Sequence, residues 1–129
     1  MSDAQPVLNY LELPGGGSFE ETKRFYTEAF GWSWLDFGPT YAEFRDAGVQ
    51  GGLNGLAAPA PPPEPGAEDG VGPLLLFETT DLEAAAAAVT AAGGVVTSGP
   101  YGYPGGRRLH FQDPSGNTLG IYQPDVAAE

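Results

Sequence analysis

The sequence predicts an α+β fold of two tandem β-α-β-β-β units, because one pattern is written in it twice. Ser18-Phe19-Glu20-Glu21 and Thr80-Asp81-Leu82-Glu83 each open a helix. Each helix stops at a glycine, Gly31 or Gly93, at the same distance from its opening. Each is then followed by a short strand that ends in Gly-Pro, at Gly38-Pro39 and again at Gly99-Pro100. Self-similarity of this kind marks a repeated supersecondary unit.

The first strand is expected over Val7 to Leu13, an apolar run of strand length. Both helix openings read as capping boxes, in which a hydroxyl accepts from an amide of the first turn and the glutamate reaches back. Glycine at each helix end permits the left-handed turn that satisfies the last carbonyls. Thr22, Phe25, Tyr26, Ala29 and Phe30 form one apolar stripe on the first helix. Leu82, Ala85, Ala86 and Val89 form the other, and both have the spacing of core-facing positions. Short strands follow over Ser33 to Phe37 and Val95 to Ser98. Phe44-Arg45-Asp46-Ala47-Gly48 and Phe111-Gln112-Asp113-Pro114-Ser115-Gly116 are strand ends that run into turns. Last strands are expected over Gly51 to Leu56 and Thr118 to Gln123, and the second unit begins with a strand over Leu74 to Thr79. The organisation is one pseudo-symmetric domain, with module one over 6–56 and module two over 73–124. Between them lies a linker over 57–72, in which Pro59, Pro61, Pro62, Pro63 and Pro65 favour an extended connector.

At 129 residues, 41% of them hydrophobic, the chain can bury a core. It has no cysteine, which excludes disulfides, zinc-thiolate sites and cysteine nucleophiles. The formal charge of −12, from 17 acidic against 5 basic residues, argues against nucleic acid as a partner and favours cationic small molecules. No apolar run is long enough for a membrane helix, and Met1 to Pro6 is polar, so the expected location is cytoplasmic.

Phe25-Tyr26 followed by Phe30-Gly31-Trp32, a second helix ending in Gly93-Gly94, and the closing Asp113-Pro114-Ser115-Gly116-Asn117 complete the set of motifs. In this order they resemble the glyoxalase / bleomycin-resistance / dioxygenase (vicinal oxygen chelate) superfamily. The resemblance implies a curled mixed sheet around a cavity, with the helices outside, and a homodimer as the usual assembly. In metal-dependent relatives, His, Gln or Glu from the first and last strand of each module bind one divalent metal. Carried over, those positions fall at Tyr10, Asn54 or Gly52, Leu74 and Gly120, a set without the carboxylates and imidazoles such a metal requires. No metal and no cofactor is therefore expected.

Alternation along the strands assigns the opposite, cavity-facing side chains. Leu11, Leu13, Ala42, Phe44, Leu109, Phe111, Leu119 and Ile121 go to the helices. That leaves Tyr10, Glu12, Tyr41, Glu43, Arg45, Glu78, Arg108, His110, Gln112, Gly120 and Tyr122 for the cavity. The ligand-binding candidates are Tyr10, Glu12, Tyr41, Glu43, Glu78, Arg108, His110 and Tyr122. Glu12 interrupts an apolar strand and has two readings: a ligand-cation anchor or general base, or half of a structural ion pair with Arg108 or Arg45. His110 is either a general acid or base, or a hydrogen-bonding residue on a half-exposed strand. Arg107 and Arg108, after Pro104-Gly105-Gly106, could clamp an anion or pair with surface carboxylates. Trp32 and Trp34 read as core or dimer contacts, with stacking on a ligand ring as the alternative.

These readings lead first to a metal-free small-molecule-binding protein that sequesters a cationic or aromatic ligand. The alternative is a metal-free or atypical isomerase or lyase acting next to a carbonyl, with Glu12 as base, His110 as acid and Arg108 stabilising the oxyanion. A third reading, an interaction protein using a sheet edge or the Pro-rich linker, has only the linker behind it.

Overall fold

The computed structural model describes residues 5–61 and 72–125, so most of the Pro-rich linker lies outside the described residues. The order of elements is β1 (Leu11–Pro14), α1 (Phe19–Phe30), β2 (Ser33–Asp36), β3 (Tyr41–Arg45) and β4 (Gly51–Asn54) in module one. Module two follows with β5 (Leu76–Glu78), α2 (Leu82–Ala91), β6 (Val95–Tyr103), β7 (Gly106–Gln112) and β8 (Thr118–Pro124). The strands form two mixed four-stranded sheets of the same topology, ordered β1-β4-β3-β2 and β5-β8-β7-β6. In each, the first and last strands run parallel and the remaining neighbours are antiparallel. No ladder joins the two sheets, so the eight strands do not close into a ring.

Alternation places Leu13, Ala42, Phe44 and Leu53 of the first sheet, and Leu109, Phe111, Leu119 and Ile121 of the second, in one buried core. The large rings of α1 carry that core from one sheet to the other. Phe25 lies 5.9 Å from Phe111 and Phe30 4.2 Å from Phe77, both partners belonging to module two. Trp32 stacks on Tyr26 at 4.4 Å and meets Phe44 at 4.3 Å, which makes it a core residue. Trp34 donates its indole N–H to the Thr27 hydroxyl at 3.0 Å. Offset and edge-on ring contacts of this kind add to the area they bury.

A second seam is polar. The Asp113 carboxylate accepts the amides of Ser115, Gly116 and Asn117, each at 3.0 Å, and so builds the turn expected there. Its other oxygen accepts from the Tyr26 hydroxyl at 2.8 Å, while the Asn117 amide group donates to the Pro14 carbonyl at 2.7 Å. Burial pushes the Asp113 carboxyl above its ordinary value despite these donors, and burial beside Asp113 holds the Tyr26 phenol well above its own.

Several local expectations are corrected. The first strand covers Leu11–Pro14, not Val7 to Leu13, because β4 offers it only four rungs; Val7 and Leu8 are exposed. The fifth is shorter as well, Leu76–Glu78, leaving Leu74 outside it. The sixth is longer: it continues past Gly99-Pro100 to Tyr103, with register shifts on either side of Ser98. Neither capping box forms as written. Ser18, with ψ 46°, makes no side-chain bond to the first turn. In α2 the cap is Asp81 rather than Thr80; its extended backbone lets the carboxylate accept from the Ala84 amide at 3.1 Å.

Candidate functional site

Opposite the core, each sheet presents a face set by its register. On the first sheet Glu12 and Glu43 stand level with Gly52 on either side of it, and Tyr41 stands level with Asn54. Gly52 leaves room on β4 for the Tyr41 ring to lie across it: a Cβ there would come within 2.6 Å of the phenol Cζ. From that position the Tyr41 hydroxyl hydrogen bonds with that of Tyr10 at 2.7 Å. The Tyr10 hydroxyl also reaches Glu43 at 3.4 Å, and Glu43 pairs with Arg45 at 3.0 Å. Asn54 accepts the Leu56 amide on its oxygen, which turns its nitrogen to donate to Glu12 at 3.1 Å. Burial, with the bonds to Tyr10 and Glu12, holds the Tyr41 phenol above its ordinary value, so it stays a protonated donor at neutral pH.

The ion pair expected for Glu12 with Arg108 or Arg45 is not formed. Arg45 is taken by Glu43, and Glu12, exposed on an edge strand, is met by the Asn54 amide and the Tyr41 phenol instead.

On the second sheet one row runs across all four strands: Glu78, Tyr122, Arg108 and Tyr101. The Tyr122 hydroxyl donates to Glu78 at 3.3 Å, and the Glu78 charge raises the phenol of Tyr122. Arg108 donates its Nε–H to the Tyr101 hydroxyl at 2.7 Å, with the guanidinium 5.8 and 5.6 Å from the ring centroids of Tyr101 and Tyr103. In the next row Leu76 and His110 flank Gly120. His110 is only 2% exposed, with Nε2 at 3.4 Å from the Tyr101 hydroxyl, so it is a buried residue and not one on a half-exposed strand. Arg107, one step along β7, faces the helices and forms a two-pronged pair with Glu83 of α2 at 2.6 and 2.9 Å. The Arg107-Arg108 pair is thus split between opposite faces.

The structure brings Tyr10, Glu12, Tyr41 and Glu43 together on one sheet, and Glu78, Arg108, His110 and Tyr122 together on the other. Glu12 thus stands on the first of these faces and His110 on the second. A cleft of about 330 Å³ between the modules is lined by Glu12, Leu13, Leu75, Asn117 and Leu119, and another of about 430 Å³ by Leu11, Val49, Leu76 and Phe77. Sequence alone does not assign Tyr101 and Tyr103 to this face, because Gly99-Pro100 reads as the end of the strand. The alternation Tyr101-Gly102-Tyr103 was the available signal.

The register also revises the positions at which relatives would place a metal. Level with Gly52 on β1 is Glu12, not Tyr10; level with Gly120 on β5 is Leu76, not Leu74. One carboxylate, two glycines and a leucine do not fit a divalent metal. Among the described residues no cluster of three or more His, Cys, Asp or Glu stands close enough to hold one. Nor is any described helix long and apolar enough to cross a membrane.

Comparison with known proteins agrees with this architecture. The chain is 32% identical over 130 residues to an uncharacterized protein of Mycolicibacterium smegmatis, covering 96% of this chain and 97% of that one. Among solved structures it is similar to TnmS3, an antibiotic binding protein from Streptomyces sp. CB03234, at 28% identity and a TM-score of 0.64 over 95% of this chain and 98% of that one. It shares its fold with a glyoxalase-related enzyme from Fulvimarina pelagi, at 22% identity and a TM-score of 0.73 over 95% and 91% of the two chains. Residues 10–121 match the family model described as Glyoxalase/Bleomycin resistance protein/Dioxygenase superfamily, and with two βαβββ modules of identical strand order behind that match, the chain belongs to this superfamily.

Proposed function

We propose that this protein binds and sequesters a small aromatic, cationic ligand without metal chemistry, and that it works as a homodimer. The observation that carries the reading is the face of the first sheet. Two carboxylates, Glu12 and Glu43, stand on either side of Gly52 with the Tyr41 phenol laid between them, and among the described residues Glu12 has no cationic partner. Carboxylates beside aromatic rings suit a cationic aromatic ligand. The similarity to an antibiotic binding protein supports sequestration over turnover. Support for the dimer comes from the outer edges of β1 and β5, which pair with no strand among the described residues, and from the exposed Val7 and Leu8 beside β1.

Titration with proflavine, a planar fluorescent cation, tests the reading, with sedimentation of the same samples giving the assembly. Saturable binding is expected at a fixed stoichiometry, weakened by salt and reduced roughly tenfold by Glu12→Gln, in a particle of two chains. Binding that is indifferent to Glu12→Gln and Glu43→Gln would remove the acidic face from the site. A monomer that binds normally would remove the dimer.

A further inference from the structure

We infer that the open face of the second sheet holds the carboxylate of a planar aromatic group, with Arg108 as its anchor. The inference rests on the small-molecule-binding reading above and adds the chemistry of a second end of the ligand.

The chain has 5 basic residues against 17 acidic ones, so every cation has an abundance of possible partners. Four of the five take one. Lys23 meets Asp36 at 2.7 Å, Arg24 meets Glu28 at 3.9 Å, Arg45 meets Glu43 at 3.0 Å and Arg107 meets Glu83 at 2.6 Å. Arg108 is the exception: among the described residues no carboxylate lies within ion-pair distance of it. The acid in its own row, Glu78, stands beyond Tyr122 and accepts from that residue's hydroxyl.

What does hold Arg108 orients it and leaves its working edge open. The Nε–H is committed to Tyr101, and the guanidinium lies near the rings of Tyr101 and Tyr103. The two terminal nitrogens have no acceptor among the described residues, and they are not buried. A planar fork fixed at its base, with both prongs accessible, is suited to two parallel bonds to a carboxylate. Half-buried Tyr101, Tyr103 and Tyr122 flank it and give an aromatic ring surfaces to pack against. A single guanidinium balances one negative charge, and the −12 of the chain opposes a doubly charged phosphate, so a carboxylate is favoured.

The test is calorimetric titration with 2-naphthoate and with its neutral isostere 2-naphthamide. Naphthoate is expected to bind about tenfold or more tighter than the amide, an advantage of about 1.4 kcal/mol or more. Arg108→Gln should abolish the advantage, Arg108→Lys should keep part of it, and Arg107→Gln should leave it unchanged. Proflavine binding to the Arg108→Gln protein, together with its circular dichroism, reports whether that variant is folded. If naphthoate and naphthamide bind equally, or if the advantage survives Arg108→Gln in a folded protein, the anchor is wrong while the binding reading stands. If neither naphthalene compound nor proflavine binds, both fall.

Discussion

In module one, Glu43 stands level with Gly52 and Tyr41 with Asn54; in module two, His110 stands level with Gly120 and Arg108 with Tyr122. Glu12 and Leu76 occupy the matching places on the parallel outer strands. One scaffold thus carries an acidic and phenolic face on one sheet, and on the other a face with a buried imidazole and a guanidinium that meets no carboxylate among the described residues. The backbone fixes where side chains can stand, and only the glycine at the centre of each row is common to both. The helices differ in the same way. Counting back from Gly31 and Gly93, Phe25, Tyr26 and Phe30 of α1 correspond to Ala87 and Ala88 within α2 and Ala92 just past its end. Large rings let α1 span from its own sheet to the other, whereas α2 packs against β6, β7 and β8 of its own.

The two central glycines give the largest expected contrast. A Cβ on Gly120 would meet Leu76 and, at 3.2 Å, the backbone oxygen of Leu109, which cannot yield easily; the three atoms nearest a Cβ on Gly52 all belong to the outer end of the Tyr41 side chain, which yields more readily than backbone. Gly120→Ala is therefore expected to destabilise by about 1–3 kcal/mol in urea melts, and Gly52→Ala by less than about 1 kcal/mol. The Gly52 variant should instead lose proflavine affinity. Equal costs would mean that the two rows are packed alike.

The polar seam gives the next effect. The folded Tyr26 phenol titrates well above its ordinary value of 10.0, so below pH 10 its proton is bound in both folded and unfolded chains and stability is intact. Above that pH the unfolded chain loses the proton first, and stability falls by up to about 1.4 kcal/mol per pH unit until the folded value is reached. Denaturant melts from pH 9 to 11 should show this decline, and Tyr26→Phe should flatten it. A variant with an unchanged slope would take Tyr26 out of the alkaline response.

The smallest contrast lies at the helix starts. Asp81→Ala is expected to cost about 1 kcal/mol and Ser18→Ala less than about 0.5 kcal/mol, since only Asp81 bonds a first-turn amide. Thermal melts of the two single variants check this, and equal losses would contradict it.

Much of the fold was legible because periodicity reports burial directly. Phe25 with Tyr26, Leu109 with Phe111, and Ala42 with Phe44 all face the core that alternation and helical spacing assigned to them. What escaped was whatever depends on partners distant in sequence. Val7 to Tyr10 reads as strand, yet β4 has no rungs to offer it; β6 outruns a Gly-Pro pair because β7 continues to pair with it. Cap choice turned on one backbone angle at Ser18, and the partner of Glu12 on the orientation of the Asn54 amide. For the candidate site, sequence supplied the residue types on each face. It did not show that Glu43 pairs with Arg45 while Arg108 meets no carboxylate among the described residues, nor that Tyr101 and Tyr103 stand beside Arg108.

The bonds that tie the modules together also bear on how the chain folds. Tyr26 and Asp113 are 87 residues apart, and Pro14 and Asn117 are 103 apart, whereas the strands within each module pair over far shorter separations. Local ladders can therefore form before the long loop is closed. The seam then belongs to the late steps of assembly. Weakening it should shorten the lifetime of the native state far more than it delays the first collapse of either half.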